Sequence, residues 1–350
     1  TDIDKPSDYF NTKLYAGNAT NAHQITGVGF QSDWTWLKAR SGAQATQPNW
    51  LFDVVRGALK PLVSNGNEAE VTETGSLQSW QSDGFTLGLN NEINGSSSEF
   101  VSWNWKAGTS FTNDASGTGI GSIDSAGSVN TDAGFSIVSY TGTGSNGTLK
   151  HGLSTAPAMI IYKNRAIARN WVVYHQFLGT AAYIYLNLTN ASDTGGAGSY
   201  FNGTSPTSSV FSLGSDADVN GNGNTHIAYC FAEKQGYSKF SSYVGNGNAD
   251  GTFVYTGFKP AMIICKNTGA AQDWIIKDNT RDIDNPVDDV LYPNGSYAED
   301  DGATVDFLSN GFKCRTTAAN TNQSGNTFIY MAFAENPFVT GSSGVPATAR

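Results

Sequence analysis

The stretch that decides the fold is APAMIIYKN at residues 156–164, followed after a short polar gap by NWVVY at 170–174. It recurs as KPAMIICKN at 259–267 with DWIIKD at 273–278, and more loosely as QSDWTWLK at 31–38 with NWLFD at 49–53. Short runs rich in β-branched and aromatic residues, bounded by turn-forming residues, predict strands. The paired runs therefore predict core strands that occur in three copies. The polar gap between them changes from copy to copy, so we expect any recognition to lie in these gaps.

Other residues recur at the same spacing. Intervals of about 125 and 103 residues separate three tyrosines and three lysines: Tyr15, Tyr140, Tyr243, Lys38, Lys163 and Lys266. Trp50, Trp171 and Trp274, which lie about 121 and 103 residues apart, are predicted to be a further set of matching positions. A period near 100 residues suits small β domains rather than the units of a solenoid. The lysines end a strand, and we expect each to lie along the surface of its domain on an apolar stem.

The spacing predicts an all-β protein of three tandem β-sandwich-like repeats, jelly-roll or lectin-like, of about 100 residues each. The expected parts are an N-terminal arm at 1–10, repeat A at 11–107, a Gly/Ser-rich linker or loop at 108–133, repeat B at 134–236, repeat C at 237–338 and a C-terminal tail at 339–350.

Composition excludes several classes of partner. The 350 residues carry a formal net charge of −10, and charged residues make up only 14% of the chain. Nucleic-acid binding needs a basic face, so no nucleic acid is expected. No apolar run approaches the roughly 20 residues of a membrane span, so no membrane insertion is expected. The three cysteines lack the spacing of a disulfide framework or a zinc site, which predicts buried free thiols.

One segment resembles a calcium-binding loop. Asp216, Asp218 and Asn220 place oxygen ligands on alternate residues, with Gly221 after them. The twelfth position of such a loop should be a bidentate Glu, and here it is Ile227. A polar hairpin is therefore the alternative, and no cofactor other than calcium is expected.

The densest acidic run lies at residues 278–289. It contains five aspartates: Asp278, Asp282, Asp284, Asp288 and Asp289. Paired carboxylates can hydrolyse glycosides, and they can also bind calcium or solvate a loop. Asp278 and Arg281 repeat the spacing of Asp53 and Arg56, which predicts a structural ion pair in two of the three copies.

Five residues are candidates for ligand contact. Trp80, Tyr200 and Tyr297 lie outside the repeated strands, where an aromatic ring is free to stack on a sugar. Arg165 and Arg169 lie in the variable polar gap of repeat B. No histidine pair, nucleophile elbow or phosphate loop is present in a context that supports catalysis.

Six segments resemble a group of virion proteins from tailed bacteriophages, especially marine ones. These segments are KPSDYF (5–10), TGVGFQ (26–31), DVVRG (53–57), SDGFTLG (82–88), YCFAEKQG (229–236) and AFAENPF (332–338). The segments lie between residues 5 and 338, so the resemblance extends over nearly the whole chain. Proteins of this group are described as structural or tail-fibre-like, so the resemblance implies a component of the virion surface and supplies no catalytic residues.

The resemblance implies a non-enzymatic tail fibre, spike or head decoration that presents loops for attachment to a host surface or glycan. Its partners would be other virion proteins, further copies of itself (for example in a trimer) and host-surface glycans. It would reside in the virion after assembly in the cytoplasm of the bacterial host. Two alternatives stay open: a capsid-stabilising decoration that binds no receptor, and a glycan depolymerase that uses residues 278–289.

Overall fold

The computed structural model of the chain describes residues 2–338 and is built from antiparallel sheets, as the sequence predicts. The helical segments are short and lie before the first strand or in the connections between strands: a 3-10 turn at Pro6–Asp8, α1 (Asn91–Asn94), α2 (Ala115–Thr118), α3 (Ala197–Phe201), α4 (Ala217–Asn220) and α5 (Ala319–Asn322). No helix within residues 2–338 is long and apolar enough to cross a membrane. The tail expected at 339–350 lies outside the described residues.

The strands group into three units. Unit A contains β1 (Phe10–Ala16), β2 (His23–Thr26), β3 (Trp34–Gly42), β4 (Trp50–Asp53), β5 (Leu62–Val63), β6 (Leu77–Gln81), β7 (Gly84–Leu87) and β8 (Ser98–Trp105). Unit B contains β9 (Thr109–Asn113), β10 (Ser125–Asn130), β11 (Phe135–Thr141), β12 (Gly147–Lys150), β13 (Met159–Asn164), β14 (Val172–His175), β15 (Ile184–Tyr185), β16 (Val210–Leu213) and β17 (Thr225–Phe231). Unit C contains β18 (Ser238–Val244), β19 (Phe253–Tyr255), β20 (Phe258–Asn267), β21 (Ile275–Asp278), β22 (Val287–Val290), β23 (Asp300–Leu308), β24 (Gly311–Cys314) and β25 (Thr327–Pro337).

One strand order occurs in all three units. The main sheets run β1-β8-β3-β4-β5 in unit A, β11-β17-β13-β14-β15 within the sheet of unit B, and β18-β25-β20-β21 in unit C. Each unit also has a smaller sheet: β2-β7-β6, β12-β16 and β19-β24-β23-β22. The structure therefore repeats one order of four main-sheet strands three times, while the division into separate jelly-roll or lectin-like sandwich domains stays a prediction.

The segment at 108–133 is not the linker or exposed loop that we expected. It forms β9, α2 and β10, and these two strands extend the main sheet of unit B to the order β15-β14-β13-β17-β11-β10-β9. Backbone pairing with β11 orders this segment despite its low apolar content, because tertiary context overrides intrinsic propensity. Gly127 is required there, since a Cβ would lie 2.0 Å from the carbonyl oxygen of Ile137.

The decisive strand, β13, is buried on both faces. Met159 and Ile161 point into a core shared with units A and C, whereas Ile160 and Tyr162 point into a core of unit B alone. A strand covered on both sides has a continuous apolar sequence rather than an alternating one. The opening stretch is thus a core strand, as its recurrence predicts.

The shared core joins aromatic side chains from all three units. The ring centroids of Trp34 in unit A and Tyr229 in unit B lie 4.5 Å apart. Phe333 of unit C lies 5.8 Å from Trp105 of unit A and 6.1 Å from Phe231 of unit B. Each unit also has its own outer core between its two sheets. The three units are therefore packed against one another rather than strung along the chain.

One register assignment from the sequence is wrong. Trp50 pairs with the residue before Lys38, and the matching residues before Lys163 and Lys266 pair with Val172 and Ile275. Trp50 thus matches Val172 and faces the outer core of unit A, whereas Trp171 and Trp274 face the shared core. A shift of one residue along a strand moves a side chain to the other face of the sheet.

Hydrogen bonds close the three units into a ring. The Trp171 indole of unit B donates to the Val63 carbonyl of unit A at 2.9 Å, and the Trp274 indole of unit C donates to the Tyr185 carbonyl of unit B at 2.8 Å. Asn49 occupies the matching position of unit A, and its amide donates to the carbonyl of Tyr292 in unit C at 3.0 Å. Val63 and Tyr185 are the last residues of β5 and β15, and Tyr292 follows Leu291, which forms an isolated bridge with Ile276 of β21. Each unit therefore donates a hydrogen bond to the backbone of the next at the far edge of its main sheet.

Candidate functional site

The variable gap of unit B lies at its junction with unit A. The Arg165 guanidinium donates to both carboxylate oxygens of Glu70, at 2.9 and 2.8 Å, and the Glu70 backbone N–H donates to the Arg165 carbonyl at 2.9 Å. Arg56 also contacts Glu70, at 3.2 Å. The Arg165 side chain is 16% exposed. Arg165, a predicted ligand contact, is therefore engaged in tying two units together.

The same contact recurs around the ring. At the junction of units C and A, Glu299 accepts from Arg40 at 2.8 Å and from Arg281 at 2.8 Å. At the junction of units B and C the acidic residue is absent, and the Ser192 N–H donates to the Thr268 carbonyl at 3.0 Å. Two of the three junctions thus hold a half-buried carboxylate between two arginines, a geometry that suits bidentate ion pairs.

Arg169 lies beside the predicted metal residues. Its side chain is 45% exposed, and its guanidinium is 3.7 Å from the Asp218 carboxylate. Burial, followed by the repulsion of Asp216, raises the pKa of Asp218 to about 6, against the opposing effect of Arg169 and Lys163. Asp216 caps α4 by accepting from the Asp218 N–H at 2.8 Å. These residues form one acidic corner of unit B.

Asn220 holds the loop in place. Its side-chain oxygen accepts from the Thr143 N–H at 2.8 Å, and its amide donates to the carbonyls of Ser145 and Gly214, both at 2.7 Å. Asn94 and Asn322 make the same three kinds of bond in the other units. The recurrence identifies a structural role for this asparagine. Its side-chain oxygen, which would have to bind calcium, accepts the hydrogen bond from Thr143 instead.

Residues 2–338 contain no group of three or more His, Cys, Asp or Glu side chains placed to hold a metal ion. Calcium binding at Asp216, Asp218 and Asn220 stays a prediction. The three cysteines are free and buried, as the sequence predicts.

The three aromatic candidates lie in different places. Tyr200 is buried, with its ring 4.3 Å from that of Tyr183 and its hydroxyl 2.9 Å from that of Tyr185. Trp80 is half-buried against the outer core of unit A. Tyr297 is 57% exposed. Of the three, the structure brings only Tyr200 near the acidic corner. Burial, the hydrogen bond with Tyr185 and the nearby carboxylates of Asp216 and Asp218 raise the pKa of the Tyr200 hydroxyl.

The acidic run at 278–289 is largely engaged in structure. Asp278 is fully buried, pairs with Arg281 at 2.6 Å and accepts from the Trp103 indole of unit A at 3.0 Å. Asp282 accepts the backbone N–H groups of Asp288 and Asp289, at 2.9 and 2.7 Å. The predicted ion pair is confirmed, and its counterpart, Asp53 with Arg56, is equally buried.

The expectation that Lys38, Lys163 and Lys266 lie on the surface is wrong, because all three are fully buried. The Lys163 ammonium donates to the Asn67 carbonyl of unit A at 3.0 Å, and that of Lys266 donates to the Thr189 carbonyl of unit B at 3.1 Å. Burial lowers the pKa of each lysine to about 8. The loop of the neighbouring unit covers Lys163 and Lys266, which sequence periodicity does not reveal.

A family model described as a domain of unknown function (DUF7483) matches residues 5–337. The chain belongs to this family. No curated protein and no solved structure shows significant similarity to it. The DUF7483 match spans units A, B and C together, which agrees with their shared core.

Sequence reasoning missed a pair of exposed aromatic residues in this DUF7483 chain. Tyr255 is 60% exposed and Phe253 is 43% exposed, both on β19. Their alternation around Val254 resembles that of a core strand. The signal that could have found them is the repeat itself, since the matching positions of β2 are the polar residues Gln24 and Thr26.

Proposed function

We propose that this protein is a non-enzymatic component of a bacteriophage virion surface, a tail fibre, spike or head decoration, that attaches the particle to its host. The six segments that resemble phage structural proteins support the assignment. The ring of three interlocked units supports a passive, load-tolerant role, because contacts across unit boundaries resist the separation of the units.

The observation that carries the proposal is that charged side chains form ion pairs that hold the fold together. Arg165 with Glu70 and Arg40 with Glu299 tie units together, and Asp278 is sealed between Arg281 and a tryptophan of another unit. Arg165 and Asp278, which resemble ligand-binding and catalytic groups in the sequence, are thus engaged in assembly of the fold. The surfaces left for contact are loops and the outer faces of the smaller sheets.

The partners of such a protein are other virion proteins, further copies of itself and host-surface glycans, and its location is the virion. Repeated copies on a particle multiply a weak affinity for a surface ligand, so a shallow contact suffices. The low content of charged residues, 14%, suits a neutral polar ligand.

The test combines localisation and attachment. Antibodies against the protein, with gold labels, should decorate particles of the phage that encodes it. Fluorescently labelled protein should adhere to cells of the host and compete with phage adsorption. Particles that carry no label, or cells that neither bind the protein nor resist infection in its presence, would rule the proposal out.

A second candidate is a decoration that stabilises the capsid without binding a receptor. The shared aromatic core and the ring of inter-unit hydrogen bonds favour it, since both serve mechanical stability. A phage lacking the gene should then adsorb normally but lose its genome at a lower temperature. Impaired adsorption with unchanged heat resistance would favour attachment instead.

A further inference from the structure

Strand β19 presents two aromatic rings to solvent on one face. Phe253 and Tyr255 are 43% and 60% exposed, while Val254 between them is 5% exposed and packs into the outer core of unit C. Side chains two residues apart on a strand lie on the same face, about 7 Å from each other. Phe253 and Tyr255 therefore form a ready-made pair, which we call the aromatic platform.

The fold does not require aromatic residues at these positions. The strands β2 and β12 hold the same place in units A and B. Gln24 and Thr26 occupy the two outward positions of β2, and Thr148 and Lys150 those of β12. An exposed apolar pair that two of three copies lack indicates a contact rather than a packing need.

The rim of the aromatic platform is polar and balanced in charge. Lys313 lies directly across from Phe253 on β24 and forms an ion pair with Asp250. Arg315 pairs with Asp306 at 3.4 Å. Two basic and two acidic groups thus neutralise one another beside the rings. Such a rim offers hydrogen-bond donors and acceptors without a net field, which complements a neutral polar ligand.

The size of the platform also selects its ligand. Two partly exposed aromatic side chains supply on the order of 200 Å² of apolar surface, since a whole aromatic side chain buries 150–250 Å². A stable protein interface needs about 800 Å² from each partner. The platform is therefore too small to hold a second protein by itself, and it suits a ligand of a few rings.

We propose that Phe253 and Tyr255 stack against the rings of a neutral oligosaccharide, with Lys313 and Asp250 at its edge. This inference rests on the proposed attachment function and assigns its glycan contact to unit C. Sugar rings have apolar faces and polar edges, and the platform presents the complementary arrangement.

The test uses two variants that copy the residues of unit A, Phe253→Gln and Tyr255→Thr, so that β19 keeps residues known to fit its fold. Phe177→Gln removes a comparably exposed aromatic side chain, 53% exposed, in unit B and serves as the control. Unfolding midpoints confirm that each variant folds. The probes are arrays of neutral and uronic-acid-containing oligosaccharides, followed by titration of any neutral hit.

The wild type and Phe177→Gln should bind neutral oligosaccharides equally, and each platform variant should bind roughly tenfold more weakly. Undiminished binding by both platform variants, binding confined to acidic sugars, or no binding by the wild type would overturn the platform. Attachment of the same proteins to host cells separates the two proposals. Attachment that survives both substitutions overturns the platform alone, whereas a wild type that does not attach overturns the proposed function.

Discussion

Replacing His226 with phenylalanine should make the protein more stable, most strongly in acid. His226 is fully buried and its ring stacks on Tyr140 at 5.1 Å between centroids. The matching pairs are Phe100 on Tyr15 at 5.1 Å and Phe328 on Tyr243 at 4.9 Å. Two units thus have phenylalanine where unit B has histidine, so the slot accepts either ring.

The magnitude follows from the surroundings of the imidazole. Neither ring nitrogen makes a hydrogen bond of normal geometry with residues 2–338, although the Gly221 backbone is near. Burial, reinforced by the cations Lys163 and Arg165, lowers the pKa of His226 from 6.5 to about 4. The unfolded chain therefore binds the proton first as the pH falls, and stability is lost from about pH 6.5 down to pH 4. At pH 4.5 the loss from this one group is about 2–3 kcal/mol.

The assay is urea unfolding followed by tryptophan fluorescence at pH 7 and pH 4.5. At pH 7 the variant should gain about 1–2 kcal/mol from removal of an unsatisfied polar group. Between the two pH values it should lose about 2–3 kcal/mol less than the wild type does. The reciprocal control, Phe328→His, should acquire the acid sensitivity that His226→Phe removes. An acid loss in His226→Phe equal to that of the wild type would refute the reasoning.

Three further substitutions test the ties between units and the acidic corner, each by its unfolding midpoint. Trp171→Phe removes the hydrogen bond to the Val63 carbonyl and should lower the free energy of unfolding by about 1–3 kcal/mol. An unchanged midpoint would mean that this hydrogen bond between units B and A contributes nothing to stability. Asn220→Ala removes three hydrogen bonds and should cost at least about 3 kcal/mol, and a smaller loss would assign the loop geometry to its glycines. Asp218→Asn introduces the residue that unit C has at the matching position, Asn320, and should stabilise the protein at pH 7 by up to about 3 kcal/mol. Burial raises the pKa of Asp218 to about 6, so keeping its carboxyl group ionised in the folded protein at pH 7 costs stability. That gain should vanish below pH 4, where the aspartic acid is protonated in both states; a gain that persists there would contradict the electrostatic cause.

Residues that act within one unit could be predicted from the sequence. The spacing of Tyr15, Tyr140 and Tyr243 marks three copies, and each hydroxyl donates to a carbonyl of the short helix in its own unit, at 2.6–2.9 Å. The Asp53–Arg56 ion pair could also be predicted, because its residues lie three apart and recur as Asp278–Arg281.

The candidate site was less predictable, because its residues face partners that are distant in sequence. Arg165 resembles a free ligand contact until Glu70, 95 residues earlier, is placed against it. Tyr200 resembles an exposed ring until its hydroxyl is placed against that of Tyr185. The local sequence shows how polar a segment is, but it does not show which distant segment packs against it.

By itself the sequence determined an all-β chain with one strand pattern in three copies, since period, turn residues and apolar runs are local properties. The tertiary structure decided that the three copies share a core. It therefore decided that Lys163 is buried, that Trp171 faces another unit and that Trp50 does not, and that Phe253 and Tyr255 remain at the surface. The burial of Lys163 and the contact of Trp171 depend on residues of another unit, 96 and 108 positions away along the chain, and the place of Trp50 depends on a shift of one residue in register. None of these leaves a trace in the local sequence. The exposure of Phe253 and Tyr255 depends on which face of β19 packs into the outer core of unit C.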